Sequence, residues 1–251
     1  MKISFTGKRF WSIVSVISIL AVWKLLSLLP GSDFVLPSPE KTLVTTLRLF
    51  GEKGFLAVVG TTVLRSLAGF AISIVLGISL GVLAGTHSRF NAFLQPILVT
   101  IRSIPVIALI LLALIWFNPG SVPVFIAILT MFPFICINVI DGIKSVDRDL
   151  TEMASFYRVS RTRIIRELYI PGIMPFIISG ASSAMGIGWR AIITGEVLSQ
   201  PRYGIGTLMQ GAQTFLNVDA VIAWTIVAVV ISFAFERIIR WGEHQLTAWK
   251  F

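Results

Sequence analysis

The sequence predicts an all-α membrane protein of six spans, and three observations carry that prediction. Hydrophobic residues fill 55% of the 251 positions against 13% charged, with a mean hydropathy of +0.88, a balance that soluble domains of this size do not reach. A bilayer core of about 30 Å takes roughly 20 apolar residues in helix. Runs of that length fall at 10–30, 57–86, 93–117, 121–141, 172–198 and 218–239. Finally, Lys and Arg are spread unevenly over the connecting segments, and cytoplasmic loops hold the positive excess.

The first run follows Lys2, Lys8 and Arg9 and extends from Phe10 to Pro30. It is too long for a secretion signal and no small-x-small cleavage site follows, so it reads as a retained span with Lys24 reaching for the outer interface. With the amino terminus inside, fourteen basic residues collect on the inner side, from Lys2 through Arg89, Arg148 and Arg166 to Lys250. Five, Lys41, Arg48, Lys53, Arg65 and Arg202, fall outside. Both termini are then expected in the cytoplasm.

After Leu36-Pro37, Ser38 is placed to cap a short helix with Pro39 at its first position, and Leu43, Leu47 and Phe50 share one face suited to the outer membrane surface. The second run carries Gly69, Ser73, Gly77, Gly81 and Gly85, a small residue at every fourth position. The fifth repeats the device with Gly180, Ala184 and Gly188. Such faces let backbones approach where lipid offers no hydrophobic drive, and they invite close pairing, including pairing with a second copy. In the third run Arg102 and Ser103 precede Pro105, which either bends the helix near its inner end or simply marks the start of the span.

The longest polar interruption, from Asp141 to about Ile170, separates the fourth and fifth runs. Asp149 with Glu152 three residues on reads as a capping box, and Leu150, Met153, Ala154 and Tyr157 form the apolar side of a short helix. A break at Arg158-Val159-Ser160 follows. Ser160 is placed to cap a second helix in which Ile164, Ile165 and Leu168 face one way and Arg161, Arg163 and Arg166 are polar. Pro171 then starts the next span, where its missing N–H is no loss. Two amphipathic helices in a row either lie on anionic lipid or enter a groove on a cytoplasmic partner.

Arg190 sits inside the fifth span, where a central charge costs about 2.5–3.5 kcal/mol on insertion scales. Glu196 is six residues on, about 240° around the helix, so the two cannot meet on one face and each requires another partner. Arg190 reads either as a bridge to another helix or sister subunit, or as an electrostatic waypoint for an anion. Glu196 reads as a gate or a helix pin. After the turn Gly204-Ile205-Gly206, Leu208, Ala212, Phe215 and Leu216 make one apolar stripe, in a segment that either dips into the bilayer or packs as a lid.

Several chemistries are excluded. Basic groups on so apolar a chain, net +9, match anionic lipid better than nucleic acid. The single cysteine, Cys136, permits no intrachain disulfide, and with only His87 and His244 beside it there is no metal-ligand set. The pair Gly7-Lys8 lacks the rest of a phosphate loop, and no nucleophile elbow, paired-histidine zinc motif or carboxylate dyad occurs in a span. No catalytic residue is assigned.

The run Glu152-Met153-Ala154, then Arg158, then Leu168-Tyr169-Ile170-Pro171 resembles the loop signature of binding-protein-dependent ABC importer permeases, Glu-Ala-Ala, three residues, Gly, nine residues, Ile-x-Leu-Pro. The spacing is kept throughout. Met153 replaces the second Ala and Arg158 the Gly, so the turn must either avoid positive φ at Arg158 or accept its cost. Leu36-Pro37-Ser38-Pro39, Arg102-Ser103-Ile104-Pro105, Gly195-Glu196-Val197-Leu198 and Tyr203-Gly204-Ile205-Gly206 extend the resemblance to the nitrate, sulfonate and taurine branch over roughly residues 30–240.

The resemblance implies a type I importer bundle of the MetI-like kind in a bacterial inner membrane, working with ABC ATPase subunits, a second permease and an extracytoplasmic solute-binding protein. Its layout would be a first span (1–31), an external interfacial segment (32–56), a permease core (57–240) holding the coupling loop (146–170), and a cytoplasmic tail (241–251). Glu152 would meet the ATPase, which alone would bind ATP and Mg. No cofactor is expected on this chain. A homodimer is expected, because one bundle leaves little room for a path. The solute expected is a small oxyanion such as a sulfonate, nitrate or taurine. Other readings are a vitamin precursor of the pyrimidine or riboflavin type, an ion-coupled carrier, which would normally show inverted repeats and more buried acids, and a non-transporting scaffold.

Overall fold

The computed structural model describes residues 5–29 and 36–247, and every regular element among them is a helix. In chain order these are α1 (Phe5–Leu28), α2 (Pro39–Leu49), α3 (Phe55–Thr86), α4 (Ser88–Ser103), α5 (Val106–Trp116), α6 (Val122–Lys144), α7 (Arg148–Phe156), α8 (Arg161–Ile164), a π turn (Ile165–Tyr169), α9 (Ile170–Ser199), α10 (Ile205–Thr214) and α11 (Val218–Thr247). Four stretches, Phe55–Thr86, Val122–Lys144, Arg161–Ser199 and Val218–Gly242, are each long and apolar enough to cross a bilayer, and α4 with α5 makes a fifth when taken together. α1 adds a shorter apolar stretch, Ile13–Leu28. Lys2, Lys250 and the end of the expected first span lie outside the described residues.

Contacts divide the chain into two compact units, Met1–Leu56 with Leu208–Val229, and Ala57–Thr207 with Val230–Phe251. In the first, Ser38 caps α2 by accepting the Lys41 N–H at 3.4 Å. Thr42, Thr46 and Leu49 face inward, whereas Leu43, Leu47 and Phe50 stay exposed, an apolar face available to lipid. Lys24 meets Glu40 at 2.9 Å, and its ammonium holds the Glu40 carboxyl below the usual carboxylate range. Lys41 pairs with Asp219 at 3.0 Å, and the Phe55 and Trp224 rings stack at 5.7 Å. α10 stops at Thr214, and Leu216, at φ 54°, lies beyond it, off the helical stripe expected for it. Asn217 donates its N–H to Ala212 and then caps α11 through the Ala220 N–H.

In the second unit α6 is the axis. Of its most apolar window 61% is buried, against 28% for each of the other three long spans. The small-residue faces explain this. Gly69 lies on Ala127, Gly77 on Ile135, Gly81 on Val139 and Gly85 on Ile143, and the Ser73 hydroxyl donates to the Ile128 carbonyl at 3.5 Å. From the other element Gly180 lies on Asn138, Gly188 on Met131, and Ala184 is fully buried. A Cβ at Gly81 would stand 2.7 Å from the Val139 Cβ and 3.0 Å from the Cys136 carbonyl, and a β-branched neighbour on a helix has little rotamer freedom to yield. Both glycine faces are therefore consumed by α6 inside one chain, which corrects the expectation that they invite pairing with a second copy.

Ala127, Met131, Ile135 and Val139 of α6 with Ala184, Met185 and Ile192 of α9 form the main core. Leu94 and Leu98 of α4 close over Cys136, and Ile110 and Ala113 of α5 over Ile126.

Two expected boundaries are corrected. The third span, placed at 93–117 with a bend expected at Pro105, is bent there so sharply, by 96°, that it forms two helices, α4 and α5. Pro105 supplies no N–H, and it forces Ile104 into extended backbone (φ −73°, ψ 129°), so the helix stops and restarts. The fifth span does not begin afresh at Pro171. α8, the π turn and α9 form one continuous helix, Arg161–Ser199. In the π turn the Ile170 N–H reaches back to the Ile165 carbonyl, and this widened turn receives the Pro171 ring, which would crowd a regular one.

Candidate functional site

The polar interruption folds as a helix, a sharp turn and the start of the long helix. Asp147, not Asp149, caps α7: its Oδ1 accepts the Asp149 N–H at 2.8 Å. The two aspartates stand two residues apart, so either satisfies the sequence rule and only the backbone path decides. No residue of α7 is buried. Leu150, Met153, Phe156 and Tyr157 are 42%, 53%, 83% and 73% exposed, and Glu152 and Arg148 lie among them. Ala154 is half-buried, as are Leu168 and Pro171, while Ile170 stays exposed.

Arg158 takes the left-handed conformation, φ 53°. Its own N–H donates to Ser155 at 3.0 Å, and the Val159 N–H donates to Ala154 at 2.9 Å, the paired bonds that end a helix through a left-handed residue. The turn thus keeps the glycine geometry without the glycine. Ser160 stands at the next cap, where its carbonyl accepts the Arg163 and Ile164 N–H groups and its hydroxyl makes no capping bond. Arg158→Gly is expected to raise stability by about 1 kcal/mol, because a left-handed non-glycine residue carries about that penalty. Arg158→Val should lower it. Thermal unfolding of the two purified variants would read the opposite shifts.

Glu196 is fully buried, and its partner is Arg65 of α3, at 2.6 Å. Its carboxylate also accepts the Thr62 hydroxyl at 3.0 Å and the Gly206 N–H at 3.0 Å, while the Thr62 oxygen accepts the Ile205 N–H at 2.9 Å. Arg65 donates a second bond to the Tyr203 carbonyl at 2.6 Å. The carboxylate therefore sits at the amino end of α10, where free N–H groups and the helix dipole favour negative charge. The close approach demands glycine: a Cβ on Gly204 would meet the Glu196 carboxylate, and one on Gly206 would meet the Ile193 carbonyl. Arg65, assigned above to an outer segment, lies within α3 and is largely buried on Glu196, and sequence reasoning missed the pair. The available signal was charge balance, since Arg65 and Glu196 are opposite charges lying within two apolar runs.

Arg190 is not brought to Glu196. It is exposed on α9, with its Nε donating to the Gly186 carbonyl at 3.2 Å. Ser103 lies at the α4–α5 break with its hydroxyl on the Val99 carbonyl at 2.8 Å, and the Arg102 guanidinium covers the Phe134 ring at 4.8 Å. The structure therefore leaves Ser103, Pro105, Arg190 and Glu196 as separate features rather than one cluster. Among the described residues no group of three metal-ligating side chains occurs.

The chain is 28% identical over 245 residues, 95% of this chain and 89% of the other, to the taurine transport system permease protein TauC of Escherichia coli. It is 28% identical over 235 residues, 92% of this chain and 84% of the other, to the putative aliphatic sulfonates transport permease protein SsuC of Bacillus subtilis. Identity to the bicarbonate transport system permease protein CmpB of Synechococcus elongatus is 26% over 247 residues, 93% of this chain and 88% of the other. The fold matches an inward-facing structure of the MetNI methionine ABC transporter with a TM-score of 0.59 at 17% identity, covering 74% of this chain and 94% of that one. Residues 73–247, well over half of the chain, match the family of binding-protein-dependent transport system inner membrane components. An exposed ridge between two spans, a glycine-faced bundle and these matches agree, and the chain belongs to this family of ABC importer permeases, transport subunits that are not enzymes.

Proposed function

We propose that the chain, paired with a second copy of itself, forms a six-span path through the inner membrane for a small oxyanion, with both termini in the cytoplasm. The family works with an ATPase and a solute-binding protein, and ATP and Mg belong to the ATPase on this reading, with no cofactor on this chain. The observation that carries it is the exposed ridge of α7, where Leu150, Met153, Phe156 and Tyr157 show 42–83% of their surface beside the exposed Arg148 and Glu152. An isolated helix gains nothing from such a face, whereas a groove on the ATPase gives it a partner. Glu152, Met153 and the turn at Arg158 would contact that groove, and the helix continuing through Leu168, Ile170 and Pro171 would carry its movement into the membrane.

The oxyanion assignment draws on relatives named for taurine, sulfonates and bicarbonate. With the glycine faces occupied by α6, the second copy has to meet another surface. Isolation of the chain from native membranes in mild detergent should bring down a nucleotide-binding ATPase in fixed stoichiometry. Isolation of a folded chain without one would discard this reading in favour of an ion-coupled carrier.

A further inference from the structure

The exposed face of α9 differs from those of the other long helices. α3 turns Leu64, Leu67, Val75 and Leu76 outward, and α11 turns Val229, Val230 and Phe233, side chains at home in hydrocarbon. α9 instead shows Ser179, Ser183, Gly186, Arg190 and Thr194 at steps of four, three, four and four residues, one line along the helix. Arg190 lies nine residues before Ser199, about 13 Å from the end of the helix, too deep to be an end-of-span charge. Hydrocarbon does not accept this line, so it faces protein or water.

Arg190 lies deep in an apolar helix, as Arg65 does, but without a partner of opposite charge among the described residues. Arg65 is neutralised by Glu196, Arg163 by Glu167 and Arg240 by Glu236. Among the described residues no carboxylate pairs with Arg190, whose one bond is to a neutral carbonyl. Within the four long spans the described acids are already engaged or lie at a helix end: Glu196 is buried on Arg65, Glu167 pairs with Arg163, Glu236 pairs with Arg240 at the edge of a cleft it shares with Ser183 and Gly186, Asp219 pairs with Lys41, and Asp141 stands in the last turn of α6. A two-fold pairing through this face would bring up another Arg190, and two like charges in a protein interior hold apart around water or an anion.

We propose that the polar face of α9 lines a water-filled path between two copies of the chain and that Arg190 gives this path its preference for anions, with Ser179 and Ser183 offering hydroxyl donors to a small oxyanion. The pairing part rests on the homodimer reading above. The sign of the preference rests on Arg190 alone.

The test needs no knowledge of the solute. In the complete transporter in lipid nanodiscs, with the buried Cys136 replaced by alanine, Ser183→Cys and Thr194→Cys are reacted with the anionic sulfonatoethyl and the cationic trimethylammonioethyl methanethiosulfonates. Rates are normalised to those with 2-mercaptoethanol. Both positions should react in the nucleotide-free or the ATP-trapped state, with the anionic reagent favoured about tenfold, the effect of one nearby unit charge in a partly hydrated site. Arg190→Gln should abolish the preference and Arg190→Lys should keep it, each with ATPase activity recorded as the check on folding. No reaction in either state, or a preference that survives Arg190→Gln, overturns the proposal. The intact mass of the complex separates the two parts: two different permeases would remove the homodimer and leave the anion preference standing or falling on the labelling.

Discussion

Replacing Arg65 by leucine is expected to cost about 3–5 kcal/mol, the usual penalty for stranding one member of a buried ion pair. Glu196 has no exposed surface and Arg65 very little, 0% and 12% by side chain, so the abandoned carboxylate cannot be rescued by solvent. Neither Thr62 nor the Gly206 N–H can replace a full charge. The loss should concentrate where Arg65 also holds the Tyr203 carbonyl, so proteolysis within 200–204 should accelerate before the whole chain unfolds. The double variant Arg65→Met with Glu196→Gln should recover most of the stability, since the amide still accepts the Gly206 N–H and no charge remains unpaired. An Arg65→Leu protein as stable as the parent would show that the carboxylate finds another partner and that the network does not fasten the turn to α3.

The second large effect concerns the α7 ridge. Phe156→Asp should weaken association with the partner ATPase roughly thirtyfold or more, the range for losing an aromatic anchor from a protein interface. Stability should hardly move, because Phe156 is 83% exposed and surface changes of this kind fall within about 0.5 kcal/mol. Met153→Asp should behave likewise, and Thr162→Asp, on the far side of the turn from α7, much less. Titration of the purified ATPase onto immobilised permease, with circular dichroism as the folding control, reads both quantities. Equal affinity in parent and Phe156→Asp would mean that the ridge serves lipid instead.

How much of this was legible in the sequence follows from the range of each interaction. The spans, the capped helix at Ser38 and the small residues at every fourth position are local patterns, and the structure places them as helices at those residues. The departure at Arg158 was visible as a missing glycine, and the backbone resolved it toward positive φ. The Arg65–Glu196 pair joins residues 131 apart, and no local period announces it. The join at Pro171 was hidden for another reason. Composition changes there from amphipathic to apolar while the backbone stays helical, so a change of environment was read as a change of element. Pro105 carried the opposite ambiguity, because proline both begins helices and ends them, and here it does both, closing α4 and opening α5 through a sharp bend.

The unbroken run from Arg161 to Ser199 is 39 residues long, which makes a lever arm of about 58 Å whose short end sits beside the ridge and whose far end bears the glutamate that fastens the next turn. A tilt of about 5° at the short end carries the far end through about 5 Å, nearly the pitch of one helical turn. The π turn and Pro175 both interrupt the regular bonding near the base of the arm, where a given angular slack has the greatest leverage over what the outer end does.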